Sequence, residues 1–186
     1  MVTIGPLFLV DKRSAGGLGL TMDQFGTIYG TFGTVAFLAG TVLGGYFTSR
    51  LGLRRALLPL ICAMNFPNLA YVYLSTALPT NHLRIASAMS VEMFGYGFGF
   101  VGVMLLMMQE IAPGKYQTAH YAFANSLMNL GLMIPGAISG KIQMALGYQK
   151  FFVWVLISSV PALILSRFIP IGRRAPQQQE VQPAHV

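Results

Sequence analysis

Glu92 is the residue best placed to do chemistry, because it is the only acidic side chain inside a complete apolar run. Glu92, Gly95, Gly99 and Gly102 recur at steps of three and four, the spacing that puts residues on one face of a helix. Phe94, Phe98, Val101 and Leu105 fall on other faces, so Glu92 is expected to point at protein or a wet cavity and away from lipid. A carboxylate at membrane depth is costly when ionised, and loss of water favours the neutral form. Two roles fit such a residue: uptake and release of a coupling proton or contact with a solute, or a neutral acid that hydrogen bonds between helices. Asn125 and Asn129 lie on a later run in a polar stripe with Thr118, Ala122, Gly136 and Gln143. That stripe suits either a water-filled cavity that would let Glu92 ionise, or polar packing between helices.

Membrane-length helices must position these residues. The chain has 186 residues, 54% hydrophobic and 9% charged, against about 25% charged in ordinary soluble domains, which argues for an integral membrane protein. Met1 to Val10 is apolar but about half the roughly 20 residues a crossing needs, and Lys12 and Arg13 follow it where a signal peptide would carry its charges first. It reads as the end of a truncated first span. Complete spans are expected from Gln24 to about Gly44, Ala56 to Leu74, Leu83 to Met108, Thr118 to Met144 and Phe151 to Ile169. Thr21 and Gln24 form a capping box at the start of the first of these. Gly26, Gly30, Gly33, Gly40 and Gly44 share one of its faces, for close helix packing or, as the rival reading, for a solute path. The second span carries Pro59 and Pro67, which loosen it, and Asn65 and Asn68, three apart on one face and suited to interhelical hydrogen bonds or to repairing the freed backbone, with ligand contact as the rival reading. Residues 175–186, rich in Gln and Pro, are expected to be a disordered tail.

Between the first two complete spans stands Gly44-Gly45-Tyr46-Phe47-Thr48-Ser49-Arg50-Leu51-Gly52-Leu53-Arg54-Arg55. Arginine at the bilayer centre costs about 2.5 to 3.5 kcal/mol even on the lenient scale, so Arg50, Arg54 and Arg55 must lie in water or headgroups. The positive-inside rule puts this tip in the cytoplasm. Of the twelve Lys and Arg, seven then fall inside, with Lys115, Arg167, Arg173 and Arg174 among them, and five outside.

Composition and pattern also exclude function classes. The net charge of +7 sits at the ends of apolar runs and forms no stripe with interleaved aromatics, which argues against nucleic acid. Cys62 is the sole cysteine, so no internal disulfide or cysteine metal cluster is possible, and it is expected to be a small buried apolar residue. The glycines after Glu92 lie inside an apolar run with no preceding strand, which excludes a dinucleotide loop. No nucleophile and base pair, H-E-x-x-H or paired catalytic aspartates occur, so no enzyme, catalytic residue, metal or cofactor is expected.

The basic tip resembles the loop signature of the major facilitator superfamily, G-x-x-x-D-R-x-G-R-R, with Gly45, Arg50, Gly52, Arg54 and Arg55 matching and Ser49 in place of Asp. The chain from Met1 to Arg174 looks like the C-terminal half of such a bundle, helices seven to twelve: one partial and five complete helices, all-α. Within the superfamily, Glu92 with Phe94 to Gly99, Lys115-Tyr116-Gln117-Thr118-Ala119-His120-Tyr121-Ala122 and Gly147 to Phe152 resemble the branch of AmpG-like muropeptide permeases and acetyl-CoA transporter relatives. That resemblance implies a secondary active transporter of a bacterial inner membrane, importing a muropeptide or related sugar conjugate with protons. It also implies a missing N-terminal six-helix half as partner. The contrasting reading is a non-transporting membrane scaffold or sensor built on the same fold.

Overall fold

A computed structural model of the chain describes residues 4–111 and 116–166. Expectations that fall on Lys115, Arg167, Arg173, Arg174 and the tail 175–186 lie outside the described residues.

Those residues are helical throughout their ordered elements. Helix α1, Ile4–Val10, ends against a short 3-10 turn, Arg13–Ala15. Helix α2 runs Met22–Leu51, α3 Leu53–Ala77 and α4 His82–Glu110. Helix α5 is Gln117–Ser166. At 1.5 Å per residue α2 to α4 each exceed the roughly 30 Å hydrocarbon core, while α5 would reach about 75 Å if straight, over twice what one crossing needs. Gly147 resolves that excess: its φ of 74° and ψ of 165° interrupt the helix, so residues 117–146 and 148–166 form two arms. A residue with a side chain would be strained at that φ. Four helices are long and apolar enough to cross a membrane, the last of them this interrupted one.

Local sequence explains the boundaries. At the start of α2, Gln24 N donates to Thr21 Oγ1 at 3.3 Å and Thr21 N donates to Gln24 Oε1 at 3.1 Å, the expected capping box. α3 is broken after Asn65, because Pro67 has no N–H to continue the ladder, and resumes at Asn68. Asn65 Nδ2 donates to the carbonyl of Ile61 at 2.8 Å, a bond within its own helix. The loop expected from Gln109 begins later, since α4 continues through a π-helical turn, Met107–Ile111.

Helix α4 is the centre of the bundle, packed between α2 and α3. A Cβ on Gly40 would overlap the carbonyl of Phe94, one on Gly44 that of Phe98, and one on Gly97 that of Phe37, so α2 and α4 touch backbone to backbone. On another face of α4, Gly95 meets Ala63 and Pro67, Gly99 meets Leu60 and Met64, and Gly102 meets Leu60. Lipid provides little hydrophobic drive for helices to associate, so this close approach, with its dispersion contacts, holds them together. Gly26 and Gly30 face nothing within 4 Å, so the small-residue face of α2 serves packing only from Gly33 onward.

The end of the bundle away from the basic tip at Arg50, Arg54 and Arg55 is closed by an apolar cluster. Phe8, Leu9, Leu74, Met89 and Phe152 are fully buried there, with Ile85, Tyr71, Tyr148 and Phe151 beside them. Rings interlock: Phe8 lies 5.1 Å from both Tyr148 and Phe152, and Tyr71 stacks on Phe152 at 5.2 Å. The connection after α1 folds back on it, with Leu18 N donating to the Phe8 carbonyl at 2.9 Å and Leu20 N to that of Leu9 at 3.0 Å. Arg13 donates to the carbonyls of Leu78 (3.2 Å) and Pro79 (2.9 Å), a cation set on the negative end of α3. The Tyr148 hydroxyl donates to Asp11.

Elsewhere the exterior is apolar. Val42 is 71% exposed and Met144 77%, as surfaces meant for lipid or another bundle must be. Cys62, expected to be buried, is exposed. In a bilayer a small apolar side chain gains little by moving inward, because lipid solvates it as well as protein does.

Candidate functional site

Glu92 stands at a joint in the inward face of α4. Toward the closed end, that face continues as Met89 and Ile85, at 0% and 1% exposure. Toward the arginine tip it continues as Gly95, Gly99 and Gly102, pressed on α3. The expectation that Glu92 shares its face with these glycines therefore matches their contacts. The antiparallel register runs Gly102 on Leu60, Gly99 on Leu60 and Met64, and Gly95 on Ala63 and Pro67. One further turn brings Glu92 to the level of Tyr71 on α3, and Tyr29 on α2, Tyr71 and Tyr96 all lie close enough to feel its charge.

Oε2 of Glu92 is buried and has no hydrogen-bond partner among the described residues. Buried polar atoms in folded proteins are nearly always satisfied, and an orphan needs a reason such as a proton, a water, an ion or a ligand. Among the described residues the phenols of Tyr29, Tyr71 and Tyr96 stand nearby. Such a carboxyl group can bind and release a proton, or accept a hydrogen bond from a hydroxyl or amine that reaches it.

Asn125 and Asn129 are placed differently. Asn129 Nδ2 donates to the Asn125 carbonyl at 2.9 Å and stands exposed, while Asn125 is half-buried. Helix α5 as a whole packs on α3 and on the last turn of α4. The structure thus brings Glu92 together with tyrosines. Tyr96, one turn beyond Glu92, was visible as an (i, i+4) neighbour; Tyr29 and Tyr71 reach it only through tertiary packing, which no local pattern reports.

The motif residues group at the other end. Gly52 joins α2 to α3 with φ 77° and ψ 150°, a conformation that explains glycine there. Arg50 lies over the ring of Tyr46 at 5.1 Å, and Arg54 and Arg55 are exposed at the start of α3. Gly45 faces open space, so no contact among the described residues requires it to lack a side chain. No group of three or more His, Cys, Asp or Glu able to hold a metal occurs among the described residues.

A cavity of about 540 Å³ opens between α2 and α4 near the closed end, its lining including Asp23, Thr27, Ile28, Phe32, His82 and Ser87.

Comparison with known proteins gives relatives by sequence. The chain is 27% identical over 150 residues to the anhydromuropeptide permease of Escherichia coli K12, covering 80% of this chain and 30% of that protein. It is 24% identical over 152 residues to the putative transporter AmpG 4 of Rickettsia conorii, covering 82% and 36%. It is 24% identical over 168 residues to sugar efflux transporter A of Escherichia coli K12, covering 89% and 41%. No protein-family profile matches, and no solved structure does. The chain spans about a third of the length of the curated relatives it matches. Its homologues are thus permeases and transporters, AmpG-type proteins among them, as the motifs around Glu92 and the basic tip lead one to expect.

Proposed function

We propose that this chain is one half of a secondary active transporter, a symporter that carries a muropeptide or related sugar conjugate inward across a bacterial inner membrane with protons. The observation that carries the reading is the orphaned Oε2 of Glu92 inside a membrane helix, in a chain whose homologues are permeases. Solute uptake by vesicles containing the full-length protein tests it: accumulation driven by an inward proton gradient supports it, and no solute movement under any gradient leaves the scaffold or sensor reading standing. The relatives being permeases and transporters favours transport over scaffolding and gives no support to an enzyme.

In this reading residues 1–174 supply one wall of a cavity and a preceding six-helix half supplies the other. Residues 1–186 alone, reconstituted in proteoliposomes, are therefore expected to show no substrate accumulation. Uptake by that fragment at the full-length rate would overturn the two-half arrangement.

The arginine tip is assigned to the cytoplasm. Ser49 is exposed and Leu53 buried, so Ser49→Cys in a Cys62→Ala background is the useful probe. An impermeant thiol reagent is expected to label it in inside-out vesicles and leave it unlabelled in intact cells. Labelling in intact cells reverses the topology.

A further inference from the structure

The third of α2 nearest the closed end is wound differently from the rest of that helix. Gly26–Gly33 is π-helical, set between an α-helical turn at Met22–Phe25 and the regular α-helix that begins at Thr34. Stretches of this kind seldom exceed one turn and are frequent at functional sites, and this one runs for 8 residues with no proline to force it. At its edge, where the backbone ladder changes step, the Thr27 hydroxyl donates to the Asp23 carbonyl at 2.9 Å.

The winding decides which side of α2 meets α4. Steps of three and four put Gly26, Gly30, Gly33, Gly40 and Gly44 on one α-helical face, the face that Gly40 and Gly44 press against α4. Bonding from i to i+5 fits more residues into each turn, so the positions before Gly33 are rotated by about 100° relative to that face. Burial follows the π winding. Ile28, which an α-helix would carry far round from Gly33, is 5% exposed and belongs to the cluster with Ile85 and Met89 of α4, while Gly26 and Gly30 face open space. A simple splaying of the two helices would have uncovered Ile28 as well. Between them remains the cavity of about 540 Å³, with Thr27, Ile28 and Phe32 on the α2 side and Ala86 and Ser90 on the α4 side.

An α-helical winding of the same residues returns Gly26 and Gly30 to the face that meets α4. There the backbones can close as they do at Gly40 and Gly44, at the expense of the cavity and of the burial of Ile28. The exchange is nearly balanced, because lipid solvates an outward Ile28 about as well as protein does, and close backbone contact replaces what is lost. We propose that residues 26–33 are a two-register element, which rewinds from π to α and thereby closes the cavity between α2 and α4. Tyr29 lies in the middle of this element and within the field of Glu92, so the register also sets how that phenol meets the carboxyl group.

Thiol cross-linking of the full chain in membrane vesicles, in a Cys62→Ala background, tests the element. Ile28→Cys with Ala86→Cys reports the π register, and Gly30→Cys with Ala86→Cys the α register. Both pairs are expected to link, the Ile28 pair faster. A leucine at position 26 stands in open space in the π register and strikes α4 in the other, so Gly26→Leu is expected to slow linking of the Gly30 pair about ten-fold, with the Ile28 pair and the thermal midpoint unchanged. Linking of the Ile28 pair alone, linking of the Gly30 pair alone, or a Gly30 pair indifferent to Gly26→Leu each overturns the two-register element. Cross-linking is read without any solute, so it stands or falls apart from the transport reading.

Discussion

Glu92→Gln in the full-length protein is expected to fold and insert, yet to lose uphill accumulation driven by a pH gradient. Glutamine keeps the shape of the protonated acid and its capacity to donate and accept, but it carries no titratable proton, so the accumulation ratio should fall to about one. Exchange of labelled for unlabelled solute across the membrane should survive, because that half-cycle needs no net proton movement. Removing the side chain altogether in Glu92→Ala also leaves a hole one turn from Gly95 and Tyr96 and opens the packing against α3, so its defect should include stability. The deciding measurement is uptake against external pH in proteoliposomes. If Glu92→Gln accumulates solute at the wild-type rate and with the wild-type pH dependence, the carboxyl group is structural, and the loss should instead appear as a lowered Tm in Glu92→Ala alone.

The second large effect is expected at the crossing of α2 and α4. Gly44→Leu drives a side chain into the Phe98 carbonyl, and Gly97→Leu does the same at Phe37. Backbone cannot step aside as a side-chain tip can, so each should cost at least about 1 to 3 kcal/mol and lower the thermal midpoint in detergent by several degrees. Gly26→Ala and Gly30→Ala are the contrast, since a Cβ there meets nothing within 4 Å. These two should be neutral or gain up to about 1 kcal/mol from helix propensity. Equal destabilisation at Gly26 and Gly44 would show that both ends of the glycine face are packed in the assembled protein, and the α2–α4 crossing would then not be the special contact.

The helical, apolar character of the chain, the capping box at Thr21 and the joint face of Glu92 with Gly95, Gly99 and Gly102 were legible in the sequence, whereas the last two of the five expected complete spans are joined in one helix interrupted at Gly147. Each rests on short-range periodicity or on one residue's backbone chemistry, which a sequence displays directly. Three features were not legible. The glycine row of α2 looks uniform from Gly26 to Gly44, but only the part that crosses α4 is pressed against it, because where two rods cross is a property of both. Hydropathy treats Cys62 as interior, whereas a membrane protein has apolar residues on both its inside and its outside. Asn125 and Asn129 have the spacing of a polar stripe, yet the facing partner of that stripe depends on how α5 leaves Gly147. The tyrosines around Glu92 fall in the same class, since two of the three arrive from other helices.

The cluster at the closed end has a consequence for biosynthesis. Tyr148 and Asp11 are 137 positions apart and yet share a hydrogen bond. A ribosome delivers Phe8 and Tyr71 to the membrane long before it delivers Phe151 and Phe152, so the early helices wait with one end uncovered until the last arm arrives. Assembly is therefore finished from the C-terminal side, and a chain stopped before Tyr148 would present to quality-control proteases a bundle whose end stands open.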